Sequence, residues 1–383
     1  MKSHKIIIAS TEIGTGGLGS YLMNLIGGLT SRGWDVHVLV TNTRGNFFDE
    51  VRRNFSCHDL SAIPLSPKKV FKAAEIANSI LPDVMLMNNC ALTQYAIPLI
   101  DPGIKTVSVL HSDDSRFYAI AALFSGMVFR WIAPTAGVAS RFQKYVSPRL
   151  HRRIRSIPHG IDRRRFFPRE AENNGPARRI LFVGFLGESK GADLLPDIFQ
   201  KVAAALPDAF LTIIGDGPLK ARLDVEFRKR GLQTRVLMQG TTTPDETAEI
   251  MRASHILLLP TNLEGFGMVI AEAMMCGVVP IVSRLPGITD QLVQPEETGL
   301  LVSPRDIAGF AEAIERIHGD TELYRAMSLK ARRMSAETLS SDGMLDRYES
   351  LFAEPEEKQR KRKLGMPQWY GEAVVQFLLK RLR

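Results

Sequence analysis

Short β-branched and aliphatic runs alternate with helical stretches along nearly the whole chain, and this alternation constrains the fold more than any other feature. Parallel strands cannot be joined by a hairpin; each needs a crossover, usually a helix, so the pattern reads as successive βαβ units and an α/β class. In the first half the strand candidates are 5–10, 36–41, 84–89, 106–111 and 131–135, and the clearest helical patterns are 18–31 and 70–80. A second series runs through 179–184, 210–215, 236–240, 256–260, 280–283 and a short 299–302.

A chain of 383 residues exceeds what one hydrophobic core usually organises. The polar stretch PREAENNGPA (168–177) separates the two series and reads as a linker. The expected architecture is two doubly wound, Rossmann-like domains facing across a cleft. Their expected bounds are 1–168 and 169–340, followed by a C-terminal crossover helix and basic tail over 341–383. Such sheets take ligands at the carboxyl ends of their strands.

One of those ends carries G-x-G-x-x-G, from Gly14 to Gly19. A dinucleotide fingerprint wants its first glycine at the strand end and an acid closing the second strand. Here Thr11, Glu12 and Ile13 intervene, and the nearby Asp35 precedes its strand instead of ending it. A plain glycine turn therefore competes with an anion site built from Gly16, Gly17 and the following helix N-terminus.

The most informative segment is PTNLEGFGMVIAEAMMCGVVPIVS (260–283). If 267–276 is helical, Glu264 lies in the loop before it and Glu272 roughly one and a half turns inside. The backbone N–H groups of Phe266, Gly267 and Met268 then lie open at a helix start, suited to a diphosphate or to sugar hydroxyls. Glu272 stands among Ala271, Ala273, Met274 and Met275, a setting in which a carboxylate needs a partner. Two further strand-to-turn elements end in glycine: LFVGFLGESKG, which places Gly184 at a strand end and Lys190 just before a helix starting near Ala192, and IIGDGP around Gly215.

Composition excludes several function classes. With 45% hydrophobic and 23% charged residues the chain is that of a packed globular protein. Cys57, Cys90 and Cys276 are widely spaced, giving neither a disulfide framework nor a zinc pattern. No apolar run approaches the roughly 20 residues of a membrane span or forms a signal peptide, so a cytoplasmic location is expected. The formal net charge of +8 concentrates in 152–165 and 358–363, with no nucleic-acid-binding motif beside it. Phosphorylated substrates or an anionic membrane face rank above nucleic acid as partners.

Taken in order, these motifs resemble the retaining glycosyltransferases of family 4, which have the two-domain GT-B fold. In the second half the resemblance rests on FVGFLGESKG (182–191), IGDGP (214–218), EGFGMVIAEAMMCGVVPIV (264–282) and ETGLLV (297–302). In the first half it rests on GGLG (16–19), VLH (109–111), APTAGVASRF (133–142) and IPHGIDRRRFFP (157–168). It implies that Glu272 holds the ribose hydroxyls of a nucleotide and that Glu264, with Gly265, Phe266, Gly267 and Met268, holds the donor sugar. Lys190 pairs with the diphosphate, Gly16 and Gly17 approach the donor phosphate or the acceptor, and Gly184 and Gly215 complete the donor set. His111 corresponds to the family's histidine near the reacting sugar; a buried, hydrogen-bonded histidine reads the same in the sequence alone. The catalytic set is thus His111, Glu264 and Lys190. No metal site and no cofactor are expected, the donor being a UDP- or GDP-linked sugar.

Two departures stand out. Phe185 occupies the position after the strand glycine where many relatives have arginine, leaving Arg284, Arg116 or a metal as candidate replacements. His159-Gly160 stands where Asn-Gly is frequent. The first keeps a second reading open, a catalytically silent nucleotide-sugar-binding scaffold. The resemblance further implies a retaining transfer to a glycan or lipid-linked acceptor in cell-envelope or exopolysaccharide synthesis. The tail supplies basic residues, then Trp369 and Tyr370, then an apolar set of Val374, Phe377, Leu378 and Leu382. That composition suits either an anionic membrane surface on the inner face of the cell membrane or a helix packed on the first domain.

Overall fold

The computed structural model describes residues 3–14, 16–168 and 177–355. Most of the expected linker and the basic tail after Pro355 lie outside the described residues.

Chain contacts divide the protein into two compact units, Met1–Pro158 with Met344–Arg383 and His159–Gly343. The first boundary therefore falls at 158/159 instead of 168/169, and the second at 343/344. The physical reason is pairing. Ile161 donates its amide to Leu339 at 2.7 Å and accepts from Ser341 at 3.0 Å. Arg165 pairs with Asp245 at 2.8 Å, and Arg252 lies over the Phe167 ring at 4.4 Å. Residues that read as the end of one domain are thereby fastened into the other.

The first unit holds β1 (Lys5–Ser10), β2 (Asp35–Val40), β3 (Ser56–Asp59), β4 (Val84–Asn88), β5 (Lys105–Val109), β6 (Arg130–Ala133) and β7 (Ile154–Ser156). They form a 7-stranded sheet in the order β3-β2-β1-β4-β5-β6-β7. The second unit holds β8 (Arg179–Val183), β9 (Phe210–Ile214), β10 (Val236–Gly240), β11 (Ile256–Leu259), β12 (Val279–Ser283) and β13 (Leu300–Val302), in the order β10-β9-β8-β11-β12-β13 across 6 strands. Neighbouring strands pair in parallel throughout.

Parallel strands are covered on both faces, which explains why their sequences are continuously apolar instead of alternating. Ile6, Ile7, Ile8 and Ala9 of β1 and all of Ile256 to Leu259 in β11 are fully buried, each large aliphatic side chain contributing about 1.5–3 kcal/mol. The edge strands β3 and β7, with sequences SCHD and IRS, have no such run and were not anticipated.

The helix Gly17–Ser31 buries Tyr21, Leu22, Leu25, Ile26 and Leu29, an i, i+4 stripe against the sheet. The helix Ser341–Ala353 returns to the first unit, burying Met344, Leu345, Tyr348, Leu351 and Phe352. Trp34 donates to Glu349 at 2.9 Å, and Arg130 and Arg155 both reach Glu354, at 2.6 and 3.0 Å.

Candidate functional site

In each sheet the chain order reverses beside the first strand, between β1 and β4 and between β8 and β11. Loops leaving those strands diverge and open a crevice at their carboxyl ends. Within the second unit, the loops after β8 and β11 are joined by an unusually dense set of bonds. The amides of Asn262 and Leu263 donate to the Ser189 carbonyl at 2.9 and 3.1 Å, and the buried Thr261 hydroxyl reaches the same carbonyl at 3.1 Å. Gly191 has φ 67°, and a Cβ there would stand 1.9 Å from the Pro260 carbonyl oxygen. Only glycine permits that approach.

The consequence is the position of Lys190. Its Nζ donates to Glu264 Oε1 at 2.6 Å and to the Leu263 carbonyl at 3.3 Å. Glu264 is only 8% exposed, so the ammonium serves as counter-ion to a nearly buried carboxylate. Lys190 itself ends a single 3-10 turn, Glu188–Lys190, and the α-helix begins at Leu195, after a second such turn, not near Ala192.

Phe266, Gly267 and Met268 lead into the helix Met268–Met275, which Gly267 caps at φ 93°. Among the described residues their three amides make no hydrogen bond within the protein, as the first N–H groups of a helix must unless a ligand or solvent takes them. Glu272 lies inside that helix and is buried. No side-chain hydrogen bond reaches its carboxylate among the described residues. Burial pushes its pKa up to about 7, and Arg165 acts in the opposite direction. Behind the loop, the His159 ring meets the Phe266 ring edge-on at 5.1 Å, and burial drives its pKa down to about 3, which keeps it neutral.

The strand-end glycines divide by role. A Cβ on Gly215 would stand 1.9 Å from the Gly184 carbonyl oxygen, so close packing of two strand ends accounts for Gly215, whereas Gly184 has ordinary clearance. Phe185 is 55% exposed, and its ring covers Gly187. Of the candidate substitute cations, Arg116 is tied to Asp114 at 2.7 Å and Arg284 is exposed just after β12.

In the first unit, Gly16 caps the helix Gly17–Ser31 at φ 92°, with open space where a side chain would go. Gly19 differs: a Cβ there would stand 1.7 Å from the Gly14 carbonyl oxygen, so the third glycine of the motif serves packing. β2 ends in Val40, and no acid closes it at Thr41 or Asn42. His111 follows β5 with Nε2 2.9 Å from Asn88 Oδ1. Asn88 donates its own amide to the Ala9 carbonyl at 3.2 Å, which turns its oxygen toward the imidazole and assigns the proton to Nε2. The Tyr21 ring packs edge-on to His111 at 4.8 Å, and the buried Tyr21 and Tyr348 hydroxyls are 2.7 Å apart.

Sequence reasoning missed Asn88, Tyr21, Tyr348, Thr261 and Arg165. Asn88 and Thr261 share a visible signal, a polar residue closing or following an otherwise apolar strand. Nothing local marks the two tyrosines as a pair across 327 positions. Cys57, Cys90 and Cys276 are free thiols. Among the described residues no group of three or more His, Cys, Asp or Glu is arranged to hold a metal, and no helix is long and apolar enough to cross a membrane.

Residues 163–334 match the family described as glycosyl transferases group 1, and residues 15–165 match glycosyltransferase family 4. The chain is 24% identical over 356 residues to the N-acetyl-alpha-D-glucosaminyl L-malate synthase of Bacillus anthracis, covering 85% of this chain and 90% of that one. It is 31% identical over 156 residues to the gpi3 component of the phosphatidylinositol N-acetylglucosaminyltransferase of Schizosaccharomyces pombe, covering 39% of this chain and 34% of the relative. Among solved structures it is similar to Anabaena HepE in complex with UDP and glucose, with TM-score 0.76, 17% identity and coverage of 91% and 98%.

Proposed function

The chain belongs to the group 1, family 4 glycosyltransferases of GT-B fold, and on that premise we propose that it moves a sugar from a nucleotide-diphosphate donor to a glycan or lipid-linked acceptor, with retention at the anomeric carbon. The observation that carries this reading is the Lys190–Glu264 pair at 2.6 Å, held beside open loop amides and a buried Glu272 whose carboxylate takes no side-chain hydrogen bond among the described residues. A cation and N–H groups suit a diphosphate, and two carboxylates at different depths suit hydroxyls on two parts of one elongated ligand.

In this reading the sugar hydroxyls engage Glu264, the ribose hydroxyls engage Glu272, and Lys190 turns its remaining donors to the diphosphate. The barrier falls mainly through electrostatic stabilisation of the departing diphosphate as the bond to the anomeric carbon breaks. The acceptor hydroxyl arrives on the same face and passes its proton to the leaving phosphate, so no enzymic nucleophile is needed. Glu264 positions the sugar; a glycosidase-like role would require a second carboxylate across the scissile bond. His111, with its Nε2 proton engaged by Asn88, keeps the place near the reacting sugar that the resemblance implies. UDP or GDP donors, an acceptor of the cell envelope or an exopolysaccharide, and function without a further cofactor are parts of the same proposal. Of the relatives' names, the one naming phosphatidylinositol supports a lipid-linked acceptor, whereas the other names malate, a small molecule, and supports only the transfer of a sugar.

Replacing Glu264 with Gln is expected to reduce transfer from a nucleotide sugar by at least a hundredfold while the circular dichroism spectrum and melting temperature stay near those of the parent. Near-normal transfer would overturn the assignment. The exposed Phe185 keeps one alternative, a silent nucleotide-sugar-binding scaffold; parent protein that binds nucleotide sugars but neither transfers nor hydrolyses them would establish it.

A further inference from the structure

A lysine is almost never fully buried unless something pairs with it. Lys69, in the first turn of the helix Pro67–Ile80, is only 3% exposed, and among the described residues its ammonium makes no hydrogen bond and no ion pair. Its four-carbon stem is enclosed, and the ammonium keeps part of the little accessible surface that remains.

The nearest candidate acid is already engaged. Asp59, at the end of β3, accepts from Arg44 Nε at 3.0 Å with one oxygen and from the Ser61 amide at 2.8 Å with the other. Burial lowers the pKa of Lys69, and the Cys90 thiol and the Asp59 carboxylate oppose that shift from longer range.

Three strand ends meet beside this lysine. Cys90 follows β4, and its thiol lies 3.3 Å from the hydroxyl of Thr41, which follows β2 and donates to the carbonyl of Ser10 at the end of β1, also at 3.3 Å. This is the point where the strand order of the first sheet reverses, between β1 and β4. The loop that carries Arg44 is tied to the loop after β1: the amides of Asn42 and Thr43 donate to the Thr11 carbonyl at 2.9 and 3.1 Å, and that of Phe47 to the Ile13 carbonyl at 3.0 Å. The Arg44 side chain stays 57% exposed.

We propose that Lys69 anchors a second anion site, within the first unit, that takes the phosphate or carboxylate group of a small ligand, with Arg44 at its rim. An ammonium removed from water without an acceptor is unfavourable, and an incoming anion offsets that loss with charge-assisted hydrogen bonds. The first turn of a helix adds its positive end to the same effect. A neutral glycan would leave the charge uncompensated. As the seat of an acceptor the site rests on the transferase reading, and it then makes the acceptor anionic; as an anion site it stands without that reading.

The test follows the melting temperature of the full chain against inorganic phosphate and, separately, succinate, at constant ionic strength set with chloride, with UDP binding measured in parallel. A rise with either anion is expected in the parent, and the larger of the two tells phosphate from carboxylate. Lys69→Met removes the charge and keeps the length. Without added anion it should melt higher than the parent, because an unpaired buried ammonium is gone. Its affinity for the anion should fall by about tenfold or more, with UDP affinity unchanged, and Lys69→Arg should restore most of the response. The site is overturned if neither anion moves the parent, if Lys69→Met responds like the parent, if that variant melts lower without anion, or if its UDP affinity falls as well. A parent that binds UDP and transfers sugar without any Lys69-dependent anion binding overturns this site and leaves the transferase reading standing; Lys69-dependent anion binding without transfer does the reverse.

Discussion

Glu272 is the residue whose chemistry the fold alters most. Its pKa rises from the ordinary 4.5 to about 7 because burial penalises the carboxylate. At pH 4 it is largely protonated in both folded and unfolded chain, and the native state carries no penalty. As pH rises toward about 7 the unfolded chain ionises first, and native stability falls until the folded group ionises too. Glu272→Gln should therefore be nearly neutral at pH 4 and stabilising at pH 8, the difference in melting temperature widening between those limits. Donor hydroxyls favour the carboxylate, so nucleotide-sugar affinity of the parent should rise with pH through about 7. A melting difference independent of pH, or affinity falling over that range, would refute the assignment. Lys190 calls for a different choice of variant: Lys190→Ala leaves the nearly buried Glu264 without its counter-ion, mixing a stability loss with any loss of phosphate binding. Glu264→Gln avoids that confusion.

At the scale of elements, the return helix Ser341–Ala353 does more than end the chain. Gly28 on the helix Gly17–Ser31 leaves room for Leu345, since a Cβ there would stand 2.4 Å from a Leu345 methyl group. That close approach brings the Tyr348 hydroxyl to Tyr21, whose ring supports His111. Tyr348→Phe removes one hydroxyl and little volume. The expected cost is about 1 kcal/mol, a fall in melting temperature of roughly 2–4 °C. If His111 acts at the reacting sugar, kcat should drop several-fold with the donor KM unchanged, because the loops after β8 and β11, to which we assign donor binding, belong to the other unit. An unchanged kcat with a raised KM would place the effect elsewhere. β3 and β7 teach the complementary lesson. Their sequences carry no apolar run, and they are strands because an edge offers unpaired backbone groups that a neighbouring segment can satisfy.

At the scale of the whole molecule, the boundary at 158/159 has a direct consequence. A fragment of residues 159–343 retains the Ile161 bonds, the Arg165–Asp245 pair and the Arg252–Phe167 contact. It should unfold cooperatively at a higher temperature than a fragment of residues 169–343, which lacks all three. Equal melting temperatures would show that the segment adds nothing to the second unit. The polar stretch at 168–177 was visible in the sequence, but low apolar content shows only where few contacts are made locally. Which unit claims the residues on either side depends on partners up to 180 positions away, such as Ser341 for Ile161.

The sequence by itself determined the α/β class, the two series of strands and the strand-to-helix loops that hold Glu264, Glu272 and Lys190 as candidates, His111 being added by the family resemblance. These are local matters: two-sided burial writes continuous apolar runs, and tight strand-to-helix turns demand glycine at fixed places. The tertiary structure alone decided that Lys190 and Glu264 form one pair, that Glu272 is buried with no side-chain hydrogen bond among the described residues, and that Gly215 and Gly19 serve close packing. It also decided that a tyrosine from the last described helix stands behind Tyr21 and His111. Each of these depends on distance and burial between residues remote in sequence, and neither composition nor periodicity encodes such distances.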